Sequence, residues 1–414
     1  MRVIDIQTEY DLVVIGGGLV GASFACMMAQ AKMQAPLRIL VTEAVASLQA
    51  STSFDARSTA LSYGSQQIYH GLGLWNALSA YATPISRIHV SDRGHFGAVR
   101  MSAAELGVEA LGQVVENQHL GVVLTQALEQ SATIDYLCPA RVNSLMPLPE
   151  GAELEVSLPQ GGTGWVRAGL VVLADGGKSP LTTDLGIGTQ VKPYEQRAII
   201  ANVAFSEPHG GVAFERFTDS GPMAILPLSP LQGENRGALV WTQPAEQADA
   251  VLALEDAAFL AALQQRFGYR LGHFVRVGAR NAYPLSLSMA REQVRPGLVL
   301  LGNVAHTLHP VAGQGLNLAL RDAEALTHIL AEAVAAGKAL GAMPVLQAYE
   351  QRQRQDQSVT IQFSHYMTRL FSSPHPALVW ARKFGLFSID LIPPLKREFA
   401  RQAMGRADRE VRRA

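Results

Sequence analysis

The chain has 414 residues, 48% hydrophobic and 17% charged, with 34 Lys and Arg against 35 Asp and Glu for a net charge of −1. That length suits two domains or one large composite, and the near-neutral balance excludes a sequence-wide positive field able to hold nucleic acid. Two cysteines, Cys26 and Cys138, stand far apart in apolar segments, which excludes a disulfide framework, a zinc site or a CxxC redox pair and fits a reducing cytosol.

The N-terminal stretch carries acidic residues before its first apolar run and does not read as a signal peptide. No window reaches the roughly 18 apolar residues of a membrane span, so a cytoplasmic protein is expected. From Tyr10 the run DLVVI is a short β-branched strand that ends in three glycines. ASFACMMAQAKM follows as a helix, and after Pro36 the segment LRILVTEA makes a second strand ending at Glu43. Strand, turn, helix and strand complete a βαβ unit.

Within that unit Gly16, Gly18 and Gly21 form a GxGxxG fingerprint. Gly16 permits the tight turn, Gly18 lets backbone approach a pyrophosphate, and Gly21 lets helix and strand pack closely. The helix start then offers unpaired N–H groups and a positive dipole end to phosphate. Glu43, about 20 residues on at the end of the second strand, is placed to accept the hydroxyls of an adenosine ribose. A carboxylate there favours FAD or NAD over a 2′-phosphorylated nucleotide.

A Ser/Thr-rich stretch at Leu48–Ser53 leads into a helical segment, a strand RIHVSDRGH and an uninformative stretch over 98–111. Leu120, Leu124 and Leu128 then recur at helical spacing, and LVVLADGG is a buried strand that returns to the first sheet. Asp175-Gly176 at its end reads on its own as a turn that closes a strand. Between about 182 and 285 short strands separated by Gly, Pro, Ser and Asp clusters predict an antiparallel sheet, with the helical ALEDAAFLAALQQRFG packed on it. Phe214, Phe217, Met223 and Leu226 on those strands face either core or substrate, and core is the simpler reading.

After Pro296, GLVLLGN resumes strand character. A Gly- and Pro-rich turn and a long helix from about Leu316 follow. Gly313-Gln314-Gly315 just before that helix would again aim amides and a dipole at an anionic group. His306 and His309 are three apart, but no carboxylate or thiol stands at ligand spacing, so no metal is expected. The tail from Lys396 holds seven basic and three acidic residues. It reads as a solvated helical face or as a patch beside anionic lipid.

Fingerprint, DG turn and Gly-rich helix start, in that order, resemble the FAD-dependent aromatic hydroxylases of the para-hydroxybenzoate hydroxylase fold. The strings FDARSTALS (54–62), IHVSDRGH (88–95), GQVVEN (112–117), PYEQRAIIANV (193–203), AFERFTDSGPMAILP (213–227), AYPLSL (282–287) and LGNVAHTLHPVAGQGLNL (301–318) narrow the resemblance to the ubiquinone-biosynthesis hydroxylases. Within them, the 2-octaprenyl-6-methoxyphenol hydroxylase branch (UbiH) is the most similar. Two departures stand out. Gly302 is followed by Asn303 where the wider family has Asp, and Glu116-Asn117 stand where many members place an Arg beside the flavin.

The resemblance implies an α/β composite: a Rossmann-like FAD-binding domain from 1–75, 98–181 and 286–345, a substrate domain from 76–97 and 182–285, and a helical region over 346–414. It implies FAD held by Gly16, Gly18, Gly21, Glu43, Arg57, Asp175, Gly176, Gly302, Asn303, Gly313, Gly315 and Asn317, with Pro310 and Gln314 in a loop beside the flavin ring. For Arg57 a surface salt bridge is the alternative role. NADPH or NADH would supply electrons and O2 the oxygen, through a C4a-hydroperoxide, to ring carbon 1 of a prenylated methoxyphenol. The implied partners are that lipophilic phenol, other ubiquinone-biosynthesis proteins, and the inner membrane face through the basic tail. A flavin reductase or oxidase acting on an isoprenoid, and a FAD-stabilised structural subunit of a quinone-biosynthetic complex, are the rival readings.

Overall fold

The structure, a computed structural model, describes residues 8–46, 53–93, 98–308, 313–372, 401 and 404–405, with side chains in the last helix described as far as Gln362. The first strand, Glu9–Ile15, is buried on both faces from Leu12 to Ile15, as its unbroken apolar run requires. It sits centrally in a sheet of eight described strands. Ile39–Thr42 and then Ile134–Leu137 lie on one side, and Thr163–Leu173 and then Leu298–Leu300 on the other, all parallel. The hairpin Arg141–Leu148 and Gly151–Ser157 extends from Thr163–Leu173.

One face of this sheet is covered by three helices, Leu19–Gln30, Asn117–Gln130 and Gln314–Ala335. Phe24, Met28, Leu120, Leu124, Leu320 and Leu326 from these helices share one core. Leu120, Leu124 and Leu128 are all buried, as their spacing predicts. Cys26 lies in the same core, where burial pushes its thiol up to about 12 and leaves it unreactive at neutral pH.

The second sheet is mostly antiparallel. In spatial order it runs His306–Thr307, Asn281–Ala290, Thr189–Phe205, Glu234–Pro244, Gly221–Leu231, Val212–Thr218, Arg87–Asp92, Ala98–Ser102. The stretch over 98–111, uninformative in sequence, supplies the edge strand Ala98–Ser102, which pairs with Arg87–Asp92. One face packs on helices Ala245–Leu252 and Asp256–Phe267 through Trp241, Phe259, Leu263 and Phe267, all essentially inaccessible. The other face packs Ala213, Phe217, Leu228 and Ala238 with Ile85, Leu111 and Val114. A small sheet of Ser58–Ser62, Gly112–Glu116 and Ala82–Ile85 joins the two. No helix among the described residues is long and apolar enough to cross a membrane.

Candidate active site

Three turns meet at the carboxyl ends of neighbouring parallel strands, where ligands bind in open α/β sheets. Gly16 follows the first strand with φ of +105°, a conformation an L-residue rarely adopts, and a Cβ there would lie 2.6 Å from the Ala174 carbonyl oxygen. The fingerprint turn and the Asp175-Gly176 turn are therefore in direct backbone contact. A Cβ on Gly21 would stand 2.0 Å from the carbonyl oxygen of Gly16, so the helix closes on the turn only through glycine. Gly302 follows Leu298–Leu300 and packs on Val20 of the fingerprint helix, and Gly177 lies over Val304.

Gly18 differs from its neighbours. A Cβ there would meet nothing within 4 Å, so the backbone faces open space. It is the N-cap of Leu19–Gln30, makes no side-chain cap, and is followed by no acidic residue in the first turn. The leading N–H groups of this helix are left for an outside acceptor. Glu43 borders the same turn, its Cβ 3.0 Å from the position a Gly17 Cβ would take. One carboxylate oxygen, Oε1, accepts the Val45 N–H at 2.9 Å, which fixes the side chain at the strand end. Open amides beside a carboxylate are the donor and acceptor pair that a pyrophosphate and an adjoining ribose require, so the residues present fit a dinucleotide.

The Asp175 carboxylate accepts the N–H of Gly177 at 2.8 Å and of Ser179 at 3.0 Å, and also the Ser179 hydroxyl. Its first task is thus to build the turn, the reading its sequence favoured in isolation. Asn303 is exposed, with its carbonyl oxygen accepting the Thr307 hydroxyl at 3.1 Å. The helix Gln314–Ala335 begins from Gly313, which is left-handed at φ +59° and offers no side-chain cap. Gln314 is buried at this start, while a Cβ on Gly315 would meet open space. Pro310 and His309 lie outside the described residues.

All four hydrogen-bonding positions of the Asn317 side-chain amide are taken within the protein. Oδ1 accepts the Ser62 N–H at 2.8 Å and the Ser65 hydroxyl at 2.7 Å, and Nδ2 donates to the Ala60 and Gly313 carbonyls at 2.9 and 2.8 Å. The side chain clamps the start of the long helix to the strand Ser58–Ser62. His306 is likewise structural: its Nε2 lies 2.6 Å from Oδ2 of Asp322, whose other oxygen accepts from Gln353 and Gln357.

Arg57 opens the strand Ser58–Ser62 and is exposed, and no ion pair to a described carboxylate engages it. Its segment is latched to the second sheet: the Asn202 amide donates to the Phe54 and Ala56 carbonyls at 2.6 and 2.8 Å, and Asp55 Oδ1 accepts the Ala279 N–H at 2.7 Å. Glu116 is a feature that sequence reasoning did not place. It forms a buried ion pair with Arg236 at 2.6 Å, with both side chains under 10% exposed. Their separation of 120 residues leaves no local signal for the pairing. The pair joins the small sheet to the second sheet.

A glycine cradle and open helix start on a parallel sheet, with a second, mostly antiparallel sheet joined to it, define a flavoprotein of the aromatic-hydroxylase fold. The comparisons agree. The profile of the FAD binding domain family matches residues 9–364. The ubiquinone hydroxylase UbiL of Rhodospirillum rubrum is 36% identical over 395 residues, covering 95% of this chain and 89% of the relative. The 3-demethoxyubiquinol 3-hydroxylase of Escherichia coli is 32% identical, covering 95% and 98%. Among solved structures, the p-nitrophenol 4-monooxygenase PnpA of Pseudomonas putida superposes with a TM-score of 0.75 at 18% identity over 97% of this chain and 99% of that one, which shows the shared fold. The chain belongs to the FAD binding domain family, among the ubiquinone-biosynthesis hydroxylases, and is an FAD-dependent monooxygenase.

Proposed function

We propose that this monooxygenase hydroxylates a polyprenylated methoxyphenol of the 2-octaprenyl-6-methoxyphenol type at ring carbon 1 during ubiquinone biosynthesis, with NADPH or NADH as electron donor. The observation that carries the reading is the meeting of the Gly16, Asp175 and Gly302 turns at the strand ends of the parallel sheet, around the open backbone of Gly18. The names of the R. rubrum and E. coli relatives support a ring in the ubiquinone series, and the FERFTDSGP string and Gly302-Asn303 support the methoxyphenol branch.

In this reading the amides at Gly18 and the start of its helix hold the pyrophosphate, and Glu43 accepts the ribose hydroxyls. Gly302, Asn303 and the turn at Asp175-Gly176 line the path between the two ends of the cofactor. Gly313, Gln314 and Gly315 bring the long helix's positive end to the ring, and Arg57 sits at the open edge. Bound FAD, once reduced, supplies the activation of O2. The protein's own part is to orient the phenol and exclude water. The apolar prenyl tail and the basic C-terminal segment fit work at the inner membrane face, alongside other proteins of the pathway.

The test is turnover of the purified yellow protein with reduced nicotinamide, isotopically labelled O2 and a short-chain prenyl methoxyphenol. A product heavier by one labelled oxygen, its position set by NMR, is expected. Nicotinamide oxidation with no oxygenated product would replace this reading with the reductase or oxidase one.

A further inference from the structure

The second sheet has one closed face and one that is partly open. On the open face, Glu215 of Val212–Thr218 pairs with Ala224, Ala224 with Val240, and Val240 with Ile200, so these four side chains form one row across the sheet. All four are partly accessible, as is Leu226 in the neighbouring row. Their chain neighbours on the closed face, Met223, Ile225, Trp241 and Ile199, are fully buried. The same open face carries Asn202, which holds the segment leading to Arg57. An apolar floor therefore lies on the side of the sheet that meets the segment leading to Arg57, with a single carboxylate in its row. Among the described residues Glu215 has no hydrogen-bond or ion-pair partner.

We propose that Glu215 is a specificity-determining residue that accepts a hydrogen bond from the phenolic hydroxyl of the substrate, the ring lying on Ala224 and Val240 and its apolar substituent reaching Ile200. The proposal rests on the hydroxylation reading above. A carboxylate left unpaired on an apolar floor costs stability unless a ligand donor satisfies it. A ring bearing a free hydroxyl supplies both the apolar body and the single donor that this surface lacks. Fixing the hydroxyl fixes which ring carbon faces the flavin.

Burial alone raises the Glu215 carboxyl from 4.5 to about 7, with no contribution from a neighbouring charge. Ionisable groups on or facing this surface are Asp92 beside Phe217, Tyr283 beside Ala198, the Glu116–Arg236 pair, and Tyr63 in the adjoining core. The terminal helix Met343–Ser372, which packs on the Val212–Thr218 and Gly221–Leu231 strands, carries His365, Tyr366 and Arg369 beyond its described side chains.

The experiment titrates oxidised holoenzyme, without reductant, with a short-chain prenyl methoxyphenol and with the same compound lacking the hydroxyl, read from the flavin spectrum. Wild type should prefer the phenol by roughly 10- to 150-fold, the worth of a hydrogen bond to a charged group. In Glu215→Leu, with flavin content retained, the preference should shrink to within about threefold. Glu215→Gln covers the case in which the Leu variant loses flavin. Its phenol Kd should be flat in pH, whereas the wild-type Kd tightens as pH rises through about 7. Equal affinity of wild type for the two compounds, or an unchanged preference in Glu215→Leu with an unchanged pH profile in Glu215→Gln, overturns the proposal. Selective binding with no oxygenated product on reduction would instead sink the hydroxylation reading and leave Glu215 as the hydroxyl-recognising group.

Discussion

The two large sheets build the site by different means. The parallel sheet does so at its strand ends, with backbone: Gly16, Gly18, Gly21 and Gly302 leave room where any side chain would intrude or block an amide. The antiparallel sheet does so on a face, with side chains, and its two faces have opposite fates. Trp241 is 1% exposed among helices while its neighbour Val240 is partly accessible on the opposite face. Glycine is irreplaceable at Gly16 and Gly21 because the backbones of turn, helix and neighbouring strand touch there. In the antiparallel sheet, a residue's role depends on which side of the pleat it occupies.

That contrast is most easily broken at Gly21. Gly21→Val puts carbon against the Gly16 carbonyl, 2.0 Å away, and should cut FAD retention by more than about 100-fold, near 3 kcal/mol, read as loss of visible flavin absorbance. Trp241→Ala tests the closed face. It should cost about 3–5 kcal/mol in urea unfolding while the variant that still folds keeps its flavin. Glu116→Leu strands Arg236 in the joint between the small sheet and the second sheet. A loss of about 3–5 kcal/mol is expected, restored in large part by adding Arg236→Met.

Smaller effects sharpen the comparison on the open face. Because the folded pKa of Glu215 is raised above its ordinary value, its contribution is fully present below about 4.5 and is lost as pH rises through about 7. Wild type should therefore fall behind Glu215→Gln across that window by on the order of 1–2 kcal/mol, allowing for its partial exposure. Thermal melts at pH 4.5 and 8 measure this; a constant gap between the two proteins would contradict it. Val240→Ala should cost less than about 1 kcal/mol of stability, with its effect appearing in the KM for the phenol. A KM indistinguishable from wild type would remove Val240 from the floor.

The parallel sheet was legible because its signals are local. A β-branched run, glycines at fixed spacing and a carboxylate after the next strand constrain the backbone within one βαβ unit. Asp175-Gly176 was legible as a turn, and its contact with Gly16 follows from the two strands being neighbours. The clamp at Asn317 was not legible, because sequence places the residue at a helix start but does not say which carbonyls and hydroxyls arrive there. Those groups come from Ser62, Ser65 and Ala60, over 250 residues away.

The near-neutral, mildly hydrophobic chain thus determined by itself its nucleotide fingerprint, its two sheets and the family resemblance, since each is written in short-range pattern. Tertiary structure decided what alternation alone leaves open: which face of the second sheet is core. Phe214 and Met223 fall on the helix-covered face, Phe217 and Leu226 on the other. Period-two patterning fixes that alternate residues point apart, but only the packing of Ala245–Leu252 and Asp256–Phe267 on one side, and of the small sheet on the other, sets Glu215 and Arg236 in their surroundings.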